Sequence, residues 1–186
     1  MPFGLSNYKK LLLNVPKELF VNGLLAAIFW TSTAINPQDS IINNVSIKSS
    51  DEFRAWSYST LEYQKEYVGN EIQFDFGHDF SNGPLQRITS ISMTDDLGTW
   101  LGHGFYNEIE FFENFSLGFS FIPGAYYEGK EVDLGGWIMF RSGVQLNYNF
   151  LEDFSVSFAF DHRSSGDIWR FNPGLETWQI KFRTYL

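Results

Sequence analysis

A histidine and a serine two residues apart, followed fourteen residues after the histidine by a glutamate, are the part of this chain best equipped for covalent chemistry. They are His162, Ser164 and Glu176, in the stretch Asp161 to Thr177. His162 continues the even-numbered apolar register of Phe158 and Phe160, and Ser164 follows on the same face. In an extended strand, Cα atoms of residues i and i+2 lie roughly 6.5 to 7 Å apart, so two such side chains can lean into a hydrogen bond. Glu176 opens the next alternating run and shares the register of Trp178 and Ile180. Consecutive strands tend to be antiparallel neighbours, which brings Glu176 toward His162. The chemistry of such a set is nucleophilic: Ser164 attacks, His162 takes its proton, and Glu176 orients the imidazolium. The competing reading is a chance triple, since any His, Ser and Glu near one loop can be drawn together in this way.

The elements that must hold these residues show a period of two from Phe53 onward. Ile72, Phe74 and Phe76 alternate with Gln73, Asp75 and Gly77; Phe115 to Phe121 alternates with Ser116, Gly118 and Ser120. The runs beginning at Val144, Phe154 and Trp178 do the same, and weaker ones cover Phe53–Gln64, Gln86–Thr94 and Thr99–Phe112. About eight strands result, the number of a small closed antiparallel up-and-down β-barrel. The connections Phe112 to Phe115 and Phe150 to Phe154 are tight turns, whereas Tyr127 to Gly135 and Arg163 to Gly174 are long. Short turns at one end and long loops at the other are the layout of an outer-membrane barrel.

Alternation alone leaves the direction of the faces open. A soluble barrel of lipocalin type turns a Phe face inward, and a membrane barrel turns it toward lipid. Twenty Phe, nine Tyr and six Trp, set against small residues on the opposite face, favour the membrane. A net charge of −9 argues against a nucleic-acid binder. The absence of cysteine excludes a disulfide scaffold and a thiol nucleophile. On the membrane reading the triple lies at the long-loop end on the Phe face, where an acyl chain packs beside Phe160 and Trp178. That location points to a lipid ester as substrate.

Residues 1–50 form a separate segment before the 51–186 barrel domain. Lys9, Lys10 and Lys17, the apolar stretch Leu19 to Trp30 and Ser32-Thr33-Ala34 have the order of a secretory signal. If retained, the segment is expected to make two short helices, with Ser6 as a cap and Pro16 in a first turn, able to dock on other subunits. Ile35 to Asp51 reads as a linker. Elsewhere, His78-Asp79 is more a strand-end polar pair than a metal site. Gly102-His103-Gly104 lacks the following helix of a phosphate loop, and its glycines are expected to relieve crowding inside a barrel. Asp95-Asp96-Leu97-Gly98 is a turn.

At His162-Arg163-Ser164-Ser165 and Asn172-Pro173-Gly174-Leu175-Glu176 the chain resembles the lipid A 3-O-deacylases of the PagL type. Their signature is His-x-Ser-Asn at the end of the penultimate strand and Asn-x-Gly-x-Glu at the start of the last. The resemblance runs from about Phe53 to Leu186, through segments such as Phe119 to Tyr126 and Phe140 to Tyr148. It implies an eight-stranded outer-membrane barrel with its site on the lipid-facing exterior and lipid A, or lipopolysaccharide, as substrate. It also implies Ser164 as nucleophile, His162 as base and Glu176 as third member, with Asn172, Gly174 and Ser165 on the oxyanion and substrate side. No metal or organic cofactor is implied, because base and donors are all protein groups. The chain departs from the pattern at Ser165, where Asn is usual, and at Gly166-Asp167, where Asp167 brings a negative charge toward the developing oxyanion. Three alternatives remain: a barrel weakened in catalysis that serves as a structural or interaction module, a component of a phage particle meeting a Gram-negative surface, and a soluble lipid-binding barrel. A homodimer stays open.

Overall fold

The computed structural model describes residues 46–48, 51–78 and 85–186. The expected signal or docking helices, with Lys9, Lys10 and Lys17, lie outside the described residues, as does Asp79. Nine strands follow in chain order: β1 (Ser46–Lys48), β2 (Phe53–Tyr63), β3 (Glu66–His78), β4 (Gln86–Thr94), β5 (Thr99–Phe112), β6 (Phe115–Tyr127), β7 (Ile138–Leu151), β8 (Phe154–Ser164) and β9 (Leu175–Tyr185). Strands β2 to β9 each pair antiparallel with their sequence neighbours, and β9 pairs with β2 from Phe53↔Tyr185 to Glu62↔Glu176, closing the barrel. These are the eight strands expected from the alternation. The short β1 falls inside the stretch expected to be a linker. It pairs with Glu108 to Glu110 because β4 reaches only to Tyr106 along that edge of β5, leaving backbone donors and acceptors for another strand.

The structure resolves which face is outward. Phe74, Phe105, Leu146, Phe158 and Ile180 are exposed on the outer wall, whereas Gln73, Asp75, Gln145, Ser157 and Lys181 are buried within. One cavity inside, between Phe53, Tyr106 and Lys181, has a volume of about 10 Å³, room for a single water. This corrects the soluble lipid-binding alternative, because the apolar face is outward and polar side chains fill the lumen, the reverse of what a soluble lipid carrier needs. The glycines of the Gly102-His103-Gly104 run are inward as expected: a Cβ on Gly102 would lie 2.4 Å from the Trp100 ring.

The filling is an ion network. Glu71 takes Arg163 at 2.5 Å on one oxygen and Arg141 at 3.2 Å on the other, and Arg141 also reaches Asp161 at 2.8 Å. Both guanidinium groups also lie near the Trp100 ring, at 5.3 and 5.5 Å from its centroid. Lower in the lumen Lys181 meets Asp75 at 2.5 Å, and Arg183 meets Glu108 at 2.7 Å with Tyr106 beside it. Apart from Arg141–Asp161, which joins the consecutive strands β7 and β8, the ion pairs join strands far apart in sequence.

Four connections share the end of the barrel where β8 finishes. Two are the long loops 128–137 and 165–174, and two are the tight turns 64–65 and 95–98. The latter is the expected Asp95–Gly98 turn, closed by Leu97 N–H donating to Thr94 O at 3.1 Å. The β5–β6 and β7–β8 turns and the β3–β4 connection lie at the other end, together with the start of β2 and the end of β9. The expected division by length therefore holds for the four connections that motivated it, but each end also has exceptions.

Loop 128–137 folds back over the mouth and sets Glu131 above Gly98 and Gly69. Burial raises its carboxyl from the ordinary 4.5 to about 7, helped by Glu71 and Asp95 and opposed by Thr94 and Arg163. A carboxyl whose folded pKa exceeds its unfolded one binds more protons in the folded state, so stability falls as pH rises from about 4.5 to 7. Chemical unfolding of the barrel in detergent is expected to show this decline, and Glu131→Gln is expected to flatten it.

Candidate active site

His162 and Ser164 belong to the last turn of alternation in β8, and the register places both on the outer wall with Phe158 and Phe160. Their neighbours Asp161 and Arg163 point into the lumen, where they are held by Arg141 and Glu71. The strand segment that presents His162 and Ser164 outside is thus clamped from inside by two ion pairs. Across the β8–β9 hairpin, His162 stands directly opposite Glu176, and Phe160 opposite Trp178. On the other side His162 faces Ser142, and Ser164 faces Phe140. The three expected residues therefore lie on adjacent strands, on one face, at the loop end. Sequence spacing had placed them this way, with Glu176 reaching His162 from the neighbouring strand.

The degree of burial was not expected. His162 and Ser164 are only 2% and 1% exposed although they lie on the outer wall. Loop 165–174 covers them. Gly174 adopts φ +75°, and a Cβ there would sit 2.8 Å from His162 Cε1, so the glycine is required both by its backbone and by its closeness to the imidazole. Gly166 and Asp167 have φ of +59° and +62°, and Ile168 N–H donates to Ser165 O at 3.2 Å, which makes Ser165 to Ile168 a type I′ turn. Below the covered site, toward the barrel middle, Phe160 and Trp178 pack with ring centroids 4.7 Å apart, and Phe158 stacks on Trp178 at 5.7 Å. They form the apolar strip expected beside the acyl chain.

Asn172 holds the covering loop together. Its Oδ1 accepts from Ser165 N–H at 2.9 Å, and its Nδ2 donates to Asp167 Oδ1 at 3.0 Å. Of the donors expected on the oxyanion side, the Ser165 N–H is thus engaged within the loop, as is one Nδ2 proton of Asn172. Asp167 points at Asn172 rather than away from the site, so the charge lies one residue from the donor. Asp167→Asn keeps a side chain that tolerates the left-handed backbone and removes the charge. A gain in kcat of roughly three- to tenfold is expected, the size of an interaction of about 1 kcal/mol with a partly solvated charge. Initial rates of ester cleavage check it.

Sequence reading did not find the partners of this loop. Trp169 Nε1–H donates to Ile138 O at 3.3 Å, and a Cβ on Gly135 or Gly136 would run into Phe171 O or the Trp169 indole. The Gly135-Gly136 pair, placed between two long-loop arms, was the available signal for such a close approach.

Comparison with known proteins gives a family and a fold. The family described as lipid A 3-O-deacylase (PagL) matches residues 44–185. The crystal structure of the outer membrane enzyme PagL is similar at a TM-score of 0.60 and 12% identity, over 71% of this chain and 99% of that one. A de novo designed transmembrane β-barrel matches at a TM-score of 0.51 and 7% identity, over 75% of this chain and 98% of its own. Neisserial surface protein A matches at 0.50 and 9%, over 76% and 99%. At these identities the structural likenesses speak to the fold alone, a closed antiparallel β-barrel. No curated protein matches the sequence.

Proposed function

The chain belongs to the lipid A 3-O-deacylase (PagL) family, and from that premise we propose that it is a serine esterase removing an ester-linked 3-hydroxyacyl chain from lipid A. The observation that carries this reading is the facing of His162 and Glu176 across one hairpin, with Ser164 two residues on, all on the membrane side of the wall. Ser164 Oγ attacks the ester carbonyl as His162 takes its proton, and Asn172 donates to the oxyanion. The tetrahedral intermediate expels the sugar hydroxyl, protonated by His162, and leaves an acyl-serine. Water activated by His162 then frees the 3-hydroxy fatty acid and restores Ser164. Glu176 holds the ring and offsets its charge while it is protonated. Phe158, Phe160 and Trp178 offer the acyl chain an apolar path from the bilayer to the serine.

Mass spectrometry of lipid A incubated with the purified barrel in mixed micelles tests the proposal. Loss of one 3-hydroxyacyl group is expected, and an unchanged spectrum with folded protein would sink it. A second reading, a barrel weakened in catalysis and kept as an interaction module, draws on the Asp167–Asn172 bond. It expects Asp167→Asn to restore a rate that the wild type lacks.

A further inference from the structure

We propose that Ser142 on β7 hydrogen-bonds the 3-hydroxyl of the acyl chain and so sets a preference for 3-hydroxyacyl esters, an inference that rests on the esterase reading above. Along β7 the odd residues Arg141 and Gln145 are inside the barrel, bonded to Asp161 and Asn147. The even ones, Phe140, Ser142 and Val144, are therefore on the outer wall. Ser142 is nevertheless only 4% exposed, buried like His162 and Ser164.

Its neighbours make it unusual. Ser142 pairs with Phe121 on β6 and with His162 on β8, and stands between Phe140 and Val144 on its own strand. Phe160, the partner of Val144, completes the ring. Apart from His162 these neighbours are apolar, and Phe121 stacks on Phe140 at 5.7 Å. Ser142 is the smallest side chain of the group, and among the described residues its hydroxyl makes no hydrogen bond. In the reaction the imidazole has no nitrogen to spare for it, since one serves Ser164 and the leaving group and the other serves Glu176. A hydroxyl in an apolar wall without a partner is costly, and a ligand that supplies the partner gains accordingly.

The substrate carries such a partner at the right reach. From the loop end of β8 toward the barrel middle the outward residues are Ser164, His162 and Phe160, and Ser142 is level with His162. An acyl chain running from Ser164 to Phe160 on the β7 side passes Ser142 on the way. Ser142 and Ser164 are diagonal across the two strands, with Cα atoms about 7 to 8 Å apart. From Ser164 Oγ the carbonyl and two further carbons lead to the 3-hydroxyl, and one hydrogen bond of about 2.8 Å closes the gap. A plain acyl chain leaves the serine unpaired, which is how the site tells the two chains apart.

The probes are the decanoyl and 3-hydroxydecanoyl esters of glucosamine and the corresponding amides, in mixed micelles with wild type and Ser142→Ala. The preference in kcat/KM for the hydroxylated ester is expected to be about tenfold larger in wild type than in Ser142→Ala. The intrinsic reactivity of the two esters cancels in that comparison, and a purely structural loss lowers both rates together. Titration with the amides, followed at the Val144 methyl resonances, is expected to show tighter binding of the hydroxylated amide in wild type alone. An equal preference in the two forms overturns the assignment and leaves Ser142 as a small residue that makes room for the imidazole. Cleavage of neither ester, with amide binding that depends on both hydroxyls, supports the Ser142 contact and removes the esterase. Cleavage of both esters without such dependence removes the contact and keeps the esterase.

Discussion

Ser164→Ala is expected to lower the deacylation rate by roughly 10⁴-fold or more while leaving the barrel intact. The side chain loses one oxygen on a strand fixed from inside by Arg163 and Asp161, so the fold has little reason to respond. His162→Ala is expected to cost about as much, because a serine without its base is as inert as no serine. Glu176→Gln is expected to cost at least tenfold less than either, since its task is to orient and offset charge rather than to bond. The double variant Ser164→Ala, Glu176→Gln then falls no further than Ser164→Ala alone. That pattern of non-additivity is the signature of three groups acting as a unit, and independent, multiplying losses would refute the triad. Rates are read from the released 3-hydroxy fatty acid, and folding from the heat-dependent migration of the barrel.

The second large effect lies inside the barrel. Glu71→Ala removes the carboxylate that, among the described residues, meets both Arg141 and Arg163, leaving two buried guanidinium groups in the lumen. Breaking a buried pair in this way costs about 3–5 kcal/mol, because the surviving charge has neither water nor partner. Arg141 retains Asp161, whereas Arg163 keeps the rings of Trp100 and Tyr126 and the pull of the Glu131 carboxyl, with no direct ion pair to replace Glu71 among the described residues. Loss of activity is expected to accompany the loss of stability, since Arg163 lies between His162 and Ser164 on β8. Glu71→Met combined with Arg163→Met is expected to recover much of the stability, replacing a broken pair with apolar volume. Urea titration in detergent measures both, and a Glu71→Ala variant as stable as wild type would show that the pairing contributes little.

Much of the outer wall was legible in the sequence and little of the lumen was. Runs such as Phe115–Phe121 and Phe154–Phe160 carry their own period, and a hairpin such as β8–β9 has its register set by its loop. Hence Glu176 could be expected near His162 from shared register and the adjacency of consecutive strands, although not directly opposite it. The same period of two is symmetric between inside and outside, so it did not tell which side Phe74 or Phe158 faces. The structure assigns it through the closed lumen. Glu71 and Arg163 are 92 positions apart, and their meeting depends on the tilt and stagger of the whole barrel, for which no local pattern exists. The cover over His162 was hidden for a related reason: Gly174 and Gly166 announce turns, but not that the turns fold down over the wall. Ser46–Lys48 gave no signal of its own, because its pairing arises from an edge left open by β4, a property of another part of the chain.

A nucleophile on the outside of a filled barrel has a kinetic consequence. With the lumen closed, no route leads to Ser164 through the protein, and an acyl chain can arrive only by sliding within the leaflet. Encounter is then a two-dimensional search. The rate should follow the mole fraction of lipid A in the surrounding film rather than its bulk molarity, and inert detergent added at constant substrate concentration should slow turnover simply by spreading the substrate over more surface.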